Sequence, residues 1–320
     1  MPAIASAAAA RGVRCHVDAC IGGWVLPYAE RLGRAPSPGS AGTLGRAPWD
    51  FRVEGVTSIS VDTHKYAYAP KGTSVLLHRS PAHRRPQYFA SARWPGYTML
   101  NSTMQSTKSG APLAGTWAVL QTIGDSGYLR LAREVFEAVD RIVTGVGAIA
   151  GVELLVPPDS TLVVLTADAS CDVFTITDEM AERGWYVQPQ MRFNGRPATL
   201  HLSVSAATLA RVDELLDALA ASVAAARAAG PVRVDAGVVE FLEALDPNAL
   251  GDEEFDALLA AAGLVQAGTA GSDASSTGGL NLPGRMAEVN ALLDVAAPAL
   301  REALLVAFLD RLARPVRGTV

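Results

Sequence analysis

Positive charge is in short supply in this 320-residue chain: 27 Lys and Arg stand against 32 Asp and Glu, a net charge of −5 with the histidines neutral. No basic stripe interleaved with aromatics emerges, so a nucleic-acid binder is not expected. Cysteine is scarcer still. Cys15, Cys20 and Cys171 fit neither a zinc site nor a disulfide framework, which makes a reducing, cytoplasmic setting the expectation. Long apolar runs are missing, and none reaches the roughly 18 residues of a membrane span. The opening Met1-Pro2-Ala3-Ile4-Ala5-Ser6-Ala7 lacks the basic start of a signal peptide. Apolar residues themselves are plentiful, 49% against 18% charged, enough for a sizeable core and too many for disorder.

Periodicity and punctuation divide the chain. Residues 3–11 read as an alanine-rich helix stopped at Gly12, and Val13 to Val17 as a short strand. The Gly22-Gly23 pair reads as a turn that passes close to a ligand. Residues 34–48 have the composition of a surface loop. Val53 to Val61 alternates as a strand, Ala69-Pro70-Lys71-Gly72 is a turn, and Thr73 to His78 is a second strand. Residues 80–108 look irregular, and 110–122 and 126–145 look helical, with Leu131, Val135, Val139 and Ile142 at helical spacing. Beyond residue 150 the pattern predicts strands at 161–165, 185–187 and 199–204. It also predicts a helix capped by Asp172 and ended by Gly184, and a long helix through Leu209 to Val223. Residues 231–320 carry two further helical stretches around a Gly/Ser-rich linker, Gly268 to Gly279.

Two strings carry chemistry. In Ser58-Ile59-Ser60-Val61-Asp62-Thr63-His64-Lys65-Tyr66 a lysine follows a β-type run. In His16-Val17-Asp18-Ala19-Cys20-Ile21-Gly22-Gly23 an aspartate ends another. A lysine and an aspartate at the ends of neighbouring strands are what pyridoxal phosphate needs. The amine bonds the cofactor's aldehyde carbon, and the carboxylate keeps the ring nitrogen protonated.

These strings resemble the sphingosine-1-phosphate lyase branch of the pyridoxal-phosphate-dependent decarboxylases. The likeness extends through Asp50-Phe51-Arg52-Val53, Gly55-Val56-Thr57 and Tyr68-Ala69-Pro70-Lys71-Gly72, and more weakly through Trp117-Ala118, Gly127-Tyr128 and Gly184-Trp185. It covers roughly residues 1–228. The family's cofactor domain begins upstream of the first residue here, so the chain is expected to lack the loop that grips the cofactor phosphate and the histidine that stacks on its ring. A sheet short of those strands would expose edges that invite pairing or aggregation. Where the family has Gly-Ser-Arg this chain has Ser106-Thr107-Lys108, and a lysine does not reproduce the arginine fork. A family tyrosine is replaced near Met99, and the last ninety or so residues find no counterpart.

The resemblance implies a type I, aminotransferase-like α/β fold. Its parts are a partial large domain over 1–149 and a small α+β domain over 150–229, and a helical extension follows over 230–320. It implies pyridoxal 5'-phosphate as cofactor and a homodimer as assembly. It implies Lys65 as the cofactor lysine, Asp18 and Ala19 at the ring, His64 at the cofactor phosphate, and Lys71 handling substrate phosphate or a proton. The implied reaction is retro-aldol cleavage of the Cα–Cβ bond of a phosphorylated long-chain or related amino alcohol, giving an aldehyde and an amino phosphate. An amino-acid decarboxylase is the alternative. A non-catalytic remnant that needs the missing N-terminal half is the alternative of another class.

Each residue also has a plainer reading. A lysine is usually a solvated charge, Asp18 can cap a strand end, and His64 can satisfy a backbone carbonyl. His16 supports the strand end, Cys20 packs as a small hydrophobe, Lys71 is an ordinary turn lysine, and Trp94 and Trp117 belong to the core.

Overall fold

The computed structural model describes residues 1–34, 48–105, 107–261 and 284–313. Most of the loop expected at 34–48 and all of the linker from Gly268 to Gly279 lie outside the described residues, as does Ser106. The chain divides into two compact units. The first is Met1–Val143 with Val156–Val163 and Ser203–Val212; the second is Thr144–Leu155, Val164–Leu202 and Asp213–Val320.

In the first unit, helix α1 (Pro2–Ala9) leads into strand β1 (Cys15–Asp18), helix α2 (Gly22–Arg31), strand β2 (Val56–Asp62) and strand β3 (Ser74–His78). The sheet order is β1-β2-β3. β1 runs parallel to β2, with Asp18 opposite Ser60, and β3 runs antiparallel to β2, with Ser74 opposite Asp62. A parallel pair needs a crossover, and α2 with the segment behind it supplies one. Gly22 and Gly23 open that helix instead of forming a free turn. A Cβ on Gly23 would stand 2.7 Å from Val61 Cγ2, so glycine is what lets α2 lie against β2. The core under this sheet gathers Cys15, Val17, Val56 and Ile59, with Ala5 of α1 and Val53.

The irregular stretch after β3 holds a one-turn helix α3 (Pro81–Arg84) and a ribbon of β4 (Phe89–Ser91) and β5 (Met99–Asn101). The helices expected at 110–122 and 126–145 form one long element, α4 (Ala111–Val146), kinked at Gly124, whose φ of 61° only glycine adopts cheaply. Val25 and Ala29 of α2 pack on Ala132 and Phe136 of α4. Trp94 and Trp117 are 53% and 65% exposed, which corrects their assignment to the core: both sit on segments that turn the indole to solvent.

The second unit holds a sheet of order β6-β7-β9-β8, from β6 (Val152–Leu154), β7 (Leu162–Ala167), β8 (Gln188–Gln190) and β9 (Thr199–Ser203). Helix α5 (Val173–Glu182) starts as expected at Asp172, whose Oδ1 accepts from the backbone N–H groups of Phe174 at 2.9 Å and Thr175 at 2.8 Å. Trp185 to Val187 is not a strand; pairing begins at the next residue, where Gln188 faces His201. Helix α6 (Val212–Ala229) follows a 3-10 turn. Among the described residues of the tail, the helical stretch expected before the linker is two helices, α7 (Ala236–Ala244) and α8 (Asp252–Ala261), and the one after it is α9 (Ala287–Val295) and α10 (Pro298–Ala313). Buried Asp178 of α5 caps α9, accepting from Met286 N–H at 3.0 Å and Ala287 N–H at 2.8 Å. No helix among the described residues is long and apolar enough to cross a membrane.

Candidate active site

The parallel pairing of β1 and β2 decides the geometry. Both strands end on the same edge of the sheet, where open α/β sheets hold their ligands. β1 ends at Asp18, β2 ends at Asp62, and Lys65 comes three residues later. The edge is closed by backbone bonds: Ala19 N–H donates to Ser60 C=O at 3.0 Å, and Asp62 N–H donates to Cys20 C=O at 3.2 Å. Ala19 itself is buried.

Asp18 Oδ1 accepts from the Cys20 backbone N–H at 3.1 Å and from the Ser60 hydroxyl at 3.2 Å. The Cys20 N–H, above all, holds the carboxyl below its ordinary range. The Cys20 side chain adds to the same effect. His16 spans Ser58 at 2.9 Å and Ser60 at 3.2 Å, so it buttresses the hydroxyl that contacts Asp18.

Lys65 Nζ lies 3.0 Å from Cys20 Sγ and 3.3 Å from Asp62 Oδ2. The sulfur contact, and then Asp62, hold the ammonium above its ordinary value against the opposing cost of burial. Asp62 is fixed in turn by the Ser74 hydroxyl at 2.5 Å, the main cause of its lowered pKa. His64 Nε2 stands 3.7 Å from Asp62, while its Nδ1 is buried and finds no partner among the described residues.

The loop that carries Lys65 is clamped. Thr63 Oγ1 donates to Thr73 C=O at 2.8 Å, Tyr66 OH to Val204 C=O at 2.6 Å, and Tyr128 OH of α4 to Ala67 C=O at 2.8 Å. Tyr68 takes a left-handed φ of 57°, a conformation that costs about 1–3 kcal/mol and persists only where the surrounding structure holds it. Asp62, Ser60 and Tyr128 were not singled out from sequence. A carboxylate two residues before a histidine gives no local sign of its role, and Tyr128 reaches the loop from 61 residues away.

Lys71 lies apart from this cluster, exposed in the turn before β3 and without an ion pair among the described residues. The turn itself is seated on α4: a Cβ on Gly72 would meet Pro112 Cγ at 2.9 Å. Lys108 is exposed and donates to the Thr103 hydroxyl.

A pyridoxal phosphate suits these groups. An ionised carboxylate matches a protonated ring nitrogen, a partly exposed amine follows on the same sheet edge, and a buried imidazole nitrogen lacks a partner among the described residues.

Known proteins place the chain. Residues 236–311 match the family described as "Pyridoxal-dependent enzyme, C-terminal putative HTH domain", which gives the tail the counterpart that the sequence reading did not find. The sphingosine-1-phosphate lyase of Dictyostelium discoideum is 37% identical over 203 residues, 63% of this chain and 35% of the relative. A solved sphingosine-1-phosphate lyase from Burkholderia pseudomallei K96243 is 34% identical with a TM-score of 0.63, covering 71% of this chain and 49% of that one. Glutamate decarboxylase of Lactobacillus brevis CGMCC 1306, at 17% identity and a TM-score of 0.57 over 73% of this chain and 52% of its own, shares the fold. The chain spans about a third of the length of the curated lyase it matches. It has the type I fold of the pyridoxal-phosphate enzymes, and over about two thirds of its own length its sequence is similar to sphingosine-1-phosphate lyases.

Proposed function

We propose that this chain carries the cofactor lysine and the ring-nitrogen carboxylate of a pyridoxal-phosphate-dependent carbon–carbon lyase. Its substrate is a phosphorylated long-chain or related amino alcohol, cleaved to an aldehyde and an amino phosphate. The observation that carries the proposal is the parallel β1–β2 pair, which delivers Asp18 and Lys65 to one sheet edge. The likeness to sphingosine-1-phosphate lyases supports the substrate class.

Pyridoxal phosphate, when bound, supplies the sink for electrons released as a bond to the substrate's Cα breaks. Lys65 would hold it through Nζ, and Asp18, kept ionised by Cys20 N–H and the Ser60 hydroxyl, would hold the proton on the ring nitrogen. Asp62 would steady the lysine while its amine is free and charged. His64 would offer its unpartnered Nδ1 to the cofactor phosphate, Ala19 would flank the ring, and Lys71 would meet the substrate phosphate or pass a proton. A homodimer in the cytoplasm is the proposed assembly and setting. The domain division at 149 and 229 is proposed with them.

The test is the visible absorbance of the purified chain with added pyridoxal phosphate, then borohydride reduction and peptide mapping. A label fixed on Lys65 is the expected result; no band, or labels scattered over surface lysines, overturns the assignment for this chain alone. Phosphorylated amino alcohols are then assayed for aldehyde release. Carbon dioxide from amino acids without aldehyde would make the chain a decarboxylase instead.

A further inference from the structure

We propose that Cys20 and Lys65 form an oxidant-sensitive pair, in which peroxide joins the sulfur covalently to the lysine amine. Its consequence, silencing of the cofactor lysine, rests on the reading of Lys65 given above.

Cys20 is the second residue beyond β1, and its C=O is tied to Asp62 N–H at the end of β2. That tie fixes the thiol against the loop that returns Lys65, and Nζ donates to Sγ at 3.0 Å. Cys20 is only partly buried and the Lys65 side chain beside it is 32% exposed, so an oxidant as small as hydrogen peroxide has access. The two other cysteines serve as internal controls. Cys15 and Cys171 are 6% and 4% exposed, and Cys171 directs its thiol to the Gly151 carbonyl. Neither has an amine within hydrogen-bonding distance among the described residues.

The step balances. The Cys20 thiolate attacks a peroxide oxygen as the O–O bond breaks; the sulfur becomes a sulfenic acid, and the departing hydroxide takes a proton from the Lys65 ammonium and leaves as water. The deprotonated Lys65 amine then attacks that sulfur. An S–N bond forms, the S–O bond breaks, and a second water departs, as in the condensation of a sulfenic acid with a backbone nitrogen. The pair loses two hydrogens, and peroxide is reduced to two waters. A dithiol reverses the step: one thiol attacks the sulfur and releases the amine, leaving a mixed disulfide, and the second thiol closes a disulfide on the first and frees Cys20, as in thiol–disulfide exchange.

The experiment is peroxide treatment of the full chain without cofactor, then non-reducing digestion and mass spectrometry. The expected product joins the Cys20 and Lys65 peptides, is lighter by two hydrogens than their reduced sum, and disappears with dithiothreitol. Cys15 and Cys171 stay unmodified, and Cys20→Ser abolishes the product. Cys20 carried to sulfinic acid while Lys65 stays free, or linkage spread over other lysines, overturns the pair. A second arm fixes pyridoxal phosphate with borohydride before peroxide is added. Loss of the link, with Cys20 sulfenic acid trapped by dimedone, supports both the pair and the cofactor role. A link of unchanged yield in that arm upholds the pair and sinks the cofactor reading.

Discussion

Asp18, Asp62 and Lys65 carry charges that the fold defends, and each defence has a pH signature. The two carboxyls are held below their ordinary 3.8, so the stability they add is present above that value and is lost as pH falls through their lower folded values. Lys65 is held above its ordinary 10.5, so its contribution is complete below that value and is lost as pH rises through the higher folded one. Thermal unfolding across pH should therefore show a plateau between these limits, and Asp62→Asn should flatten both shoulders. Equal shoulders in the variant would discard the ion pair as their cause. Lys65→Ala should abolish the borohydride-fixed label while Lys71→Ala keeps it. Asp18→Asn should keep the label but weaken cofactor binding about ten- to a hundred-fold, the worth of a hydrogen bond to a charged group, roughly 1.5–3 kcal/mol. Titration of cofactor absorbance measures that shift.

At the scale of elements, the site depends on contacts that hold a loop and a helix in place. Gly23 lets α2 reach β2, and Gly23→Val would push side-chain atoms into Val61, where even a Cβ has only 2.7 Å. Overpacking of this kind costs about 1–3 kcal/mol. A midpoint in urea unchanged from the parent would remove the close approach from the account. Tyr128→Phe takes away the donor to Ala67 C=O, which should cost about 1–3 kcal/mol as that buried carbonyl loses its partner. The Lys65 loop should then exchange amide hydrogens faster than β2. Both substitutions lie away from the reacting atoms, so cofactor labelling should fall only as the loop loosens.

At the scale of the whole chain, the tail is integrated into the second unit by polar contacts as well as apolar ones. Asp178 caps α9 across more than a hundred residues, and Arg285 pairs with Glu179 at 2.8 Å and also with Glu182. Phe255 of α8 is buried against Leu304 and Phe308 of α10. Asp178→Ala would leave two backbone donors without their acceptor and should destabilise the second unit by about 1–3 kcal/mol. Calorimetry should show that loss in the transition of the second unit. A shift shared equally with the first unit would mean that the two melt as one.

Local chemistry made the strands around Asp18 and Lys65 legible, along with the Asp172 cap and the helical stripe at Leu131 to Ile142, because each depends on residues near in sequence. Misread features depended on distant partners. Gly22 and Gly23 look like a turn until β2 requires α2 close by. Trp185 to Val187 is as apolar as a strand, yet it lies just outside the ladder, where pairing begins at Gln188. Trp94 and Trp117 have core-type side chains on segments that face solvent. The strings holding Asp18 and Lys65 were enough to single out the candidates for a cofactor site, since their chemistry and strand-end positions are local. It took the folded chain to show that the two strands run parallel, that Asp62 and Cys20 stand against the lysine, and that Tyr128 closes the loop. Pairing direction and long-range hydrogen bonds are properties of packing and are not written into any single segment.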